Sequence, residues 1–397
     1  MSDHLNIYRK IDTKPQVCND MHMDNNHESQ YQIFKNRLRL LQEYFPAKYS
    51  KKFINPCWYD DHQKPYSLPQ KKTCATPLSY HLSLAQRVVG EAELSSLRHL
   101  YCLPSFFLSG FPKCASSTLY TMIVRHPQIS KPRCKENHFW AQFVNQKGTD
   151  LGKKVQILHY LRLFSVPVSN IESNPRTITL DASVSYHIWN TESDYCVLPN
   201  LLMRVLPEAK FIVIMRNPSE RVFSHYWYYS VRRKSINVAK YSAYAHSSKA
   251  LKTFQSEVVR VMRRFQLCID SGYSTFQCVK NKTIDGKDED INGRVGLQTS
   301  MYYYHIAPWL SVFPRERFLF LRSEDLTHDL SRIMSRVWRF LNLYKLSETR
   351  EVFAGVNEQV TNLSFPVQTK QMLDAFFQPY NNLLANLLSD TKYLWND

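Results

Sequence analysis

Residues Phe106–Tyr120 read FFLSGFPKCASSTLY. The stretch passes from a short apolar run through Gly110, Pro112 and Lys113 into the hydroxyl cluster Ser116, Ser117 and Thr118. An apolar-periodic segment with Leu119, Met122 and Ile123 follows. That order predicts strand, tight loop and helix. Such a loop aims backbone N–H groups and a helix N-terminus at one point, which suits a phosphate. Lys113 adds a point charge and the hydroxyls add donors. The bland alternative is an ordinary strand–helix turn. The loop is not a Walker A motif, which needs GxxxxGK[ST]. Lys113 follows Pro112 and Ala115 stands where a second Gly would be, so an NTP-dependent kinase is disfavoured.

Outward from this loop the pattern is α/β, a central parallel sheet flanked by helices. Strands are predicted at Phe106–Ser109, Thr177–Leu180, Phe211–Met215 and Phe318–Leu321. Helices are expected at Leu84–Leu100, with Gly90 inside it, at Ile333–Leu341 and at Met372–Leu388, the last with a kink at Pro379. Residues 1–75 read as a polar, weakly ordered stem with local helix around Phe34–Tyr44, and 76–397 as the folded domain. No internal repeat is found.

With 397 residues, 44% hydrophobic and 13% aromatic, the chain can build a large core. A formal charge of +17 points to polyanionic partners: nucleic acid, membrane surface or acidic polysaccharide. The charge is dispersed, with one run at Arg232–Lys234 and a helical recurrence at Arg260, Arg263 and Arg264. No apolar stretch reaches the ~18–20 residues of a membrane helix. The N-terminal MSDHLNIYRKIDTK has no signal-peptide core. Yet Asn281 and Asn362 lie in glycosylation acceptor patterns, and Cys268 and Cys278 flank a small polar loop that a disulfide would close, two unpaired thiols being the alternative. The chain is therefore expected either to be cytosolic or to have its targeting segment outside this sequence. The loop 281–293, NKTIDGKDEDING, lacks the ligand spacing and closing Glu of a calcium loop, and no metal site is expected.

Two further segments carry chemistry. In Lys210–Ser230, KFIVIMRNPSERVFSHYWYYS, a buried strand ends at Arg216, Asn217-Pro218 breaks it, and a helix starts near Ser219. Arg216 then sits where open α/β sheets bind ligands, and arginine suits bidentate phosphate recognition. Ser224 lies further along the same helix. An Arg–Glu pair at a helix start is the competing reading. In Lys135–Trp140, KENHFW, Glu136 and His138 beside aromatics fit a general base in a partly dry site. A surface Glu near a core aromatic is the alternative.

The order PKCASSTL, KENHFW, RNPSERVFSHYW, then YYYHIAPWLSVFPRERFLFL and Glu324-Asp325-Leu326 resembles the Golgi carbohydrate sulfotransferases, over roughly Cys102–Trp395. Within them it is most similar to the chondroitin-type N-acetylgalactosamine 4-sulfate 6-O-sulfotransferases. The resemblance implies a P-loop-like sulfotransferase fold, a Golgi lumen location and a 3′-phosphoadenosine 5′-phosphosulfate donor used without metal. It implies that Lys113, Cys114, Ala115, Ser116, Ser117 and Thr118 hold the 5′-phosphosulfate and that Arg216 and Ser224 hold the 3′-phosphate. Gln298, Ser300 and Tyr302 would lie near the nucleotide. Glu136 would be the catalytic base with His138 beside it, and Lys113 the cation at the bridging oxygen. The acceptor implied is chondroitin or dermatan sulfate, at the 6-hydroxyl of N-acetylgalactosamine 4-sulfate, and Ala182 argues against a heparan acceptor. The family's loop has Gly where Ala115 stands, a change with a cost only if that residue needs φ > 0. Residues 355–366 lack the basic residues of the chondroitin type. A weak or silent polyanion-binding relative is the competing expectation.

Overall fold

The structure, a computed structural model, describes residues 18, 28–60, 99–145, 148–188, 194–234, 248–280, 295–346 and 365–396. Among the described residues, seven strands form two sheets. β1 (Cys57–Asp60) and β2 (His99–Cys102) pair antiparallel. The main sheet contains β3 (Phe106–Leu108), β4 (Ile129–Ser130), β5 (Ile178–Asp181), β6 (Lys210–Met215) and β7 (Phe318–Arg322). They are all parallel, in the order β4-β5-β3-β6-β7.

The four predicted strands are present within a residue or two. They are visible because β3, β5 and most of β6 are buried and read as continuous apolar runs rather than alternating ones. Register stacks three of their aromatics. Phe107 is opposite Phe211, and Phe211 opposite Phe318, with ring centroids 5.4 and 5.0 Å apart. Such pairs add about 0.5–1.5 kcal/mol each beyond the area they bury. The helix Tyr302–Leu310 is buried along nearly its whole length and sets Trp309 against Phe211, centroids 5.3 Å apart.

Topology puts a crevice at the carboxyl edge. The connection after β3 leads to one side, toward β4, and that after β6 leads to the other, toward β7. Loops that part in this way leave a ligand-sized opening above the strand ends. The segments after β3, β5 and β6 all meet there. Gly110 fixes how closely they meet: a Cβ on it would lie 2.4 Å from the backbone nitrogen of Ile214. No other residue lets the loop run against β6, where Phe111 N–H donates to Ile214 O at 3.2 Å.

Four expectations change. First, the stem reading does not describe residues 28–60. The helix Glu28–Gln42 buries Leu40 and Leu41 in the main core, and disulfides tie Cys18 to Cys196 and Cys57 to Cys102. Second, the helix expected over Leu84–Leu100 lies mostly outside the described residues, and its end, His99–Leu100, is strand β2. Third, β4 escaped notice because it is only two residues long. Fourth, the helix Val367–Leu388 starts earlier than expected and runs through Pro379. Leu330–Leu341 is helical as anticipated, and Cys268 is bonded to Cys278. Asn281, Asn362 and the segment 355–364 fall outside the described residues.

Candidate active site

The loop between β3 and the helix Ser116–Ile123 is held in an uncommon conformation. Lys113 and Ala115 both lie in the left-handed region, at φ 69° and 63°. The cost that the sequence made conditional is therefore present: an L-residue with a Cβ there is strained by about 1–2 kcal/mol. Ala115 is the N-cap, and no side chain caps the first turn. The amide N–H groups at the start of this helix are thus offered toward the crevice, the arrangement that suits an oxyanion.

Positive charge is gathered around that turn. The Lys113 ammonium lies over the Tyr228 ring, 4.2 Å from its centroid. Burial, and then the repulsion of nearby Arg216, push its pKa down to about 8. Arg216 follows β6 directly and has Glu220 at 3.4 Å. Ser224, on the helix Pro218–Lys234, is partly buried. A negative charge placed here would relieve the like-charge crowding of Lys113 and Arg216.

Behind the cradle lies a residue that sequence reasoning missed. Arg221 is fully buried. Its Nε donates to Ser300 Oγ at 2.6 Å, one terminal nitrogen donates to Pro112 O at 3.4 Å, and the other to Gly296 O. It bolts the donor-side loop to the turn at Gln298–Ser300. The residues expected near the nucleotide belong to this support. Gln298, Ser300 and Tyr302 are 1–3% exposed. Gln298 Nε2 donates to Cys278 O at 2.6 Å, and the Tyr302 hydroxyl donates to Arg216 O at 2.8 Å. Their side chains are spent within the protein rather than lining the crevice. Cys114 is likewise buried, a free thiol 3.6 Å from the Tyr302 hydroxyl, so only its backbone can face a ligand. Ser116 is buried, Thr118 half-buried and Ser117 exposed.

The second half of the site is the turn 135–138. Glu136 and His138 are also left-handed, at φ 59° and 56°. The turn is pinned to the end of β5: Glu136 N–H donates to Ala182 O at 2.9 Å, Val184 N–H to Glu136 Oε2 at 3.1 Å, and His138 N–H to Ser183 Oγ at 3.1 Å. The His138 ring is 2.8 Å from Ser185 Oγ and 3.6 Å from Glu136 Oε2. Burial lowers its pKa, more than Glu136 raises it. Under the turn lies Asp181, fully buried, accepting from Tyr186 at 2.7 Å, Tyr160 at 2.9 Å and Ser183 at 2.7 Å. Burial raises its pKa and those hydrogen bonds oppose the rise. The two halves touch through Lys135, whose ammonium is 2.9 Å from Ser117 Oγ and 3.0 Å from Glu136 Oε1.

Residues 103–368 match the sulfotransferase domain. The chain belongs to that family. Among curated proteins it is similar to carbohydrate sulfotransferase 15 of Mus musculus, 26% identical over 399 residues, and to that of Homo sapiens, 26% identical over 397. Each alignment covers 88% of this chain but 66% of the relative, so this sulfotransferase-family chain spans just under two thirds of their length. It is also 26% identical over 251 residues to the bifunctional heparan sulfate N-deacetylase/N-sulfotransferase 3 of Homo sapiens, covering 62% of this chain and 23% of that one. Among solved structures, a sulfotransferase from Alicyclobacillus acidocaldarius aligns over 72% of this chain and 96% of that one, at 21% identity and a TM-score of 0.46.

Proposed function

We propose that this protein transfers a sulfuryl group from 3′-phosphoadenosine 5′-phosphosulfate to a hydroxyl of a glycosaminoglycan, chondroitin or dermatan sulfate. The acceptor position is the 6-hydroxyl of N-acetylgalactosamine 4-sulfate. The observation that carries this reading is the meeting of an anion cradle and a carboxylate within one lysine's reach at the carboxyl edge of the sheet.

In this reading the amides and hydroxyls of Lys113–Thr118 hold the 5′-phosphosulfate, while Arg216 and Ser224 hold the 3′-phosphate. Glu136 takes the proton of the acceptor hydroxyl as that oxygen attacks sulfur in line. Lys113 faces the charge that develops on the bridging oxygen, a role worth about 3 kcal/mol in preorganised sites. His138 orients Glu136. Gln298, Ser300 and Tyr302 act from behind, through Arg221 and the backbone of Arg216. The polyanionic acceptor is supported by the helix Ser248–Asp270, which buries one face and exposes Lys249, Lys252, Arg260 and Arg263 on the other. Three disulfides among the described residues support an oxidising compartment, which fits a Golgi lumen location.

A second reading, a weak or silent polyanion-binding relative, is favoured by the strain at Ala115. One experiment separates the two. The protein is incubated with donor and chondroitin 4-sulfate, and the disaccharides are then analysed. A new 6-sulfated, 4-sulfated disaccharide is expected. No product, together with no saturable binding of adenosine 3′,5′-bisphosphate, overturns the transferase reading.

A further inference from the structure

Lys135 occupies a position that the roles assigned so far do not use. Its ammonium contacts a donor-loop hydroxyl, Ser117 Oγ at 2.9 Å, and the candidate base, Glu136 Oε1 at 3.0 Å. Its side chain is 22% exposed, and of the two contacts only that to Glu136 is partly buried. Ser117 itself is exposed at the mouth of the cradle. The candidate base therefore stands in an ion pair with Lys135.

We propose that Lys135 is a positioning residue that couples donor occupancy to the base. With the cradle empty it pairs with Glu136. With an anion seated beside Ser117 it turns toward that anion and releases the carboxylate to take the acceptor proton. This rests on the reading of Glu136 as the base and of Lys113–Thr118 as the donor seat.

The physical argument is one of competition. A cation beside a carboxylate keeps it ionised and makes it a weaker base. A phosphosulfate carries more negative charge than a single carboxylate, and a lysine is a point charge on a flexible stem that moves between partners without loss of a forked geometry. The balance of the transfer step is unchanged. The acceptor oxygen–sulfur bond forms and the bond from sulfur to the bridging oxygen breaks. The departing bisphosphate keeps that electron pair, and the acceptor proton goes to Glu136. What Lys135 adds is order: the base gains full strength only once the cradle is filled.

The test uses the full chain and two readouts. One is the affinity for adenosine 3′,5′-bisphosphate by calorimetry, and the other is the pH dependence of kcat/KM for the donor at saturating chondroitin 4-sulfate, which reports the form with the donor seat unfilled. Lys135→Met weakens bisphosphate binding about tenfold, the loss expected for one charge-assisted contact. It also moves the acid limb of the profile upward, because the cation beside the carboxylate is gone. Lys135→Arg restores the limb. Ser117→Ala, at an exposed position, weakens bisphosphate binding and leaves the limb in place. A limb that stays put in Lys135→Met protein that melts at the wild-type temperature overturns the coupling, and so does a limb that moves equally in Ser117→Ala. Full turnover by Glu136→Gln overturns the base reading and the coupling together, and is told apart by that variant alone.

Discussion

The two halves of the crevice are built on opposite electrostatic plans. Around Lys113 the protein crowds cations: burial and Arg216 drive that ammonium down to about 8, while Arg221 is buried beneath the loop. Around Glu136 charge is balanced: the carboxylate has Lys135, the Val184 amide and His138 about it, and Asp181 below is met by three hydroxyls. The first half is completed by something that arrives. The second is complete beforehand and must be disturbed in order to act. The proposed transfer would draw on both, an anion seat that gains from being filled and a carboxylate held in reserve.

The largest effect that tests this contrast is on the waiting half. Glu136→Gln lowers kcat by roughly 10³ and tightens rather than weakens bisphosphate binding, because it frees Lys135 for the anion; a parallel loss of affinity would merge the halves into one. Next comes Lys113→Met, with a fall of about 10²–10³ in kcat. It has a second signature in pH. An unfolded lysine titrates near 10.4 and the folded one near 8, so between those values the unfolded chain binds more protons. Stability of the ligand-free protein therefore rises with pH from about 8 to about 10. That rise is smaller in melts of the Met variant, where Lys153, lowered to about 7 by burial, still contributes, and a rise of unchanged size removes the crowding argument. Bisphosphate binding, by favouring the ammonium, takes up protons near pH 8–9, readable as a dependence of the calorimetric enthalpy on buffer.

Smaller effects report on the scaffolds. Asp181→Asn leaves the partners of a buried carboxylate short of an acceptor and lowers stability by about 2 kcal/mol, with a larger loss of kcat than of bisphosphate affinity, measured by urea melts and titration. Smallest is Ala115→Gly. Relief of the left-handed strain exceeds the added freedom of the unfolded chain by about 0.5 kcal/mol, seen as a Tm about 1 °C higher. A lower Tm would show that the loop is not strained there.

How much of this the sequence shows depends on whether a residue's role is local. The β3 loop, Arg216 and Glu136 are legible because each sits beside its own signal: an apolar run, a Pro break, an aromatic pair. Arg221 is not, since an arginine directly after Glu220 in the first turns of a helix looks like a surface residue; the distant carbonyls of Pro112 and Gly296 and the Ser300 hydroxyl explain its burial. For Gln298, Ser300 and Tyr302 the sequence gives proximity to a motif and not the direction of a side chain, and their side chains are buried in hydrogen bonds within the protein. The order of residues 28–60 was hidden for the same reason. It depends on cysteine partners far along the chain.

One of those partnerships reaches beyond the N-terminal region. The bond from Cys18 to Cys196 spans 178 residues and so closes a covalent ring containing β3, β4, β5, the loop after β3 and the turn 135–138. On the chain-entropy view such a ring limits the unfolded state by about 5 kcal/mol. It also makes the site a threaded whole. A single protease cut anywhere in the ring leaves one molecule, not two, and the two halves of the crevice stay in register until a reductant opens the clasp.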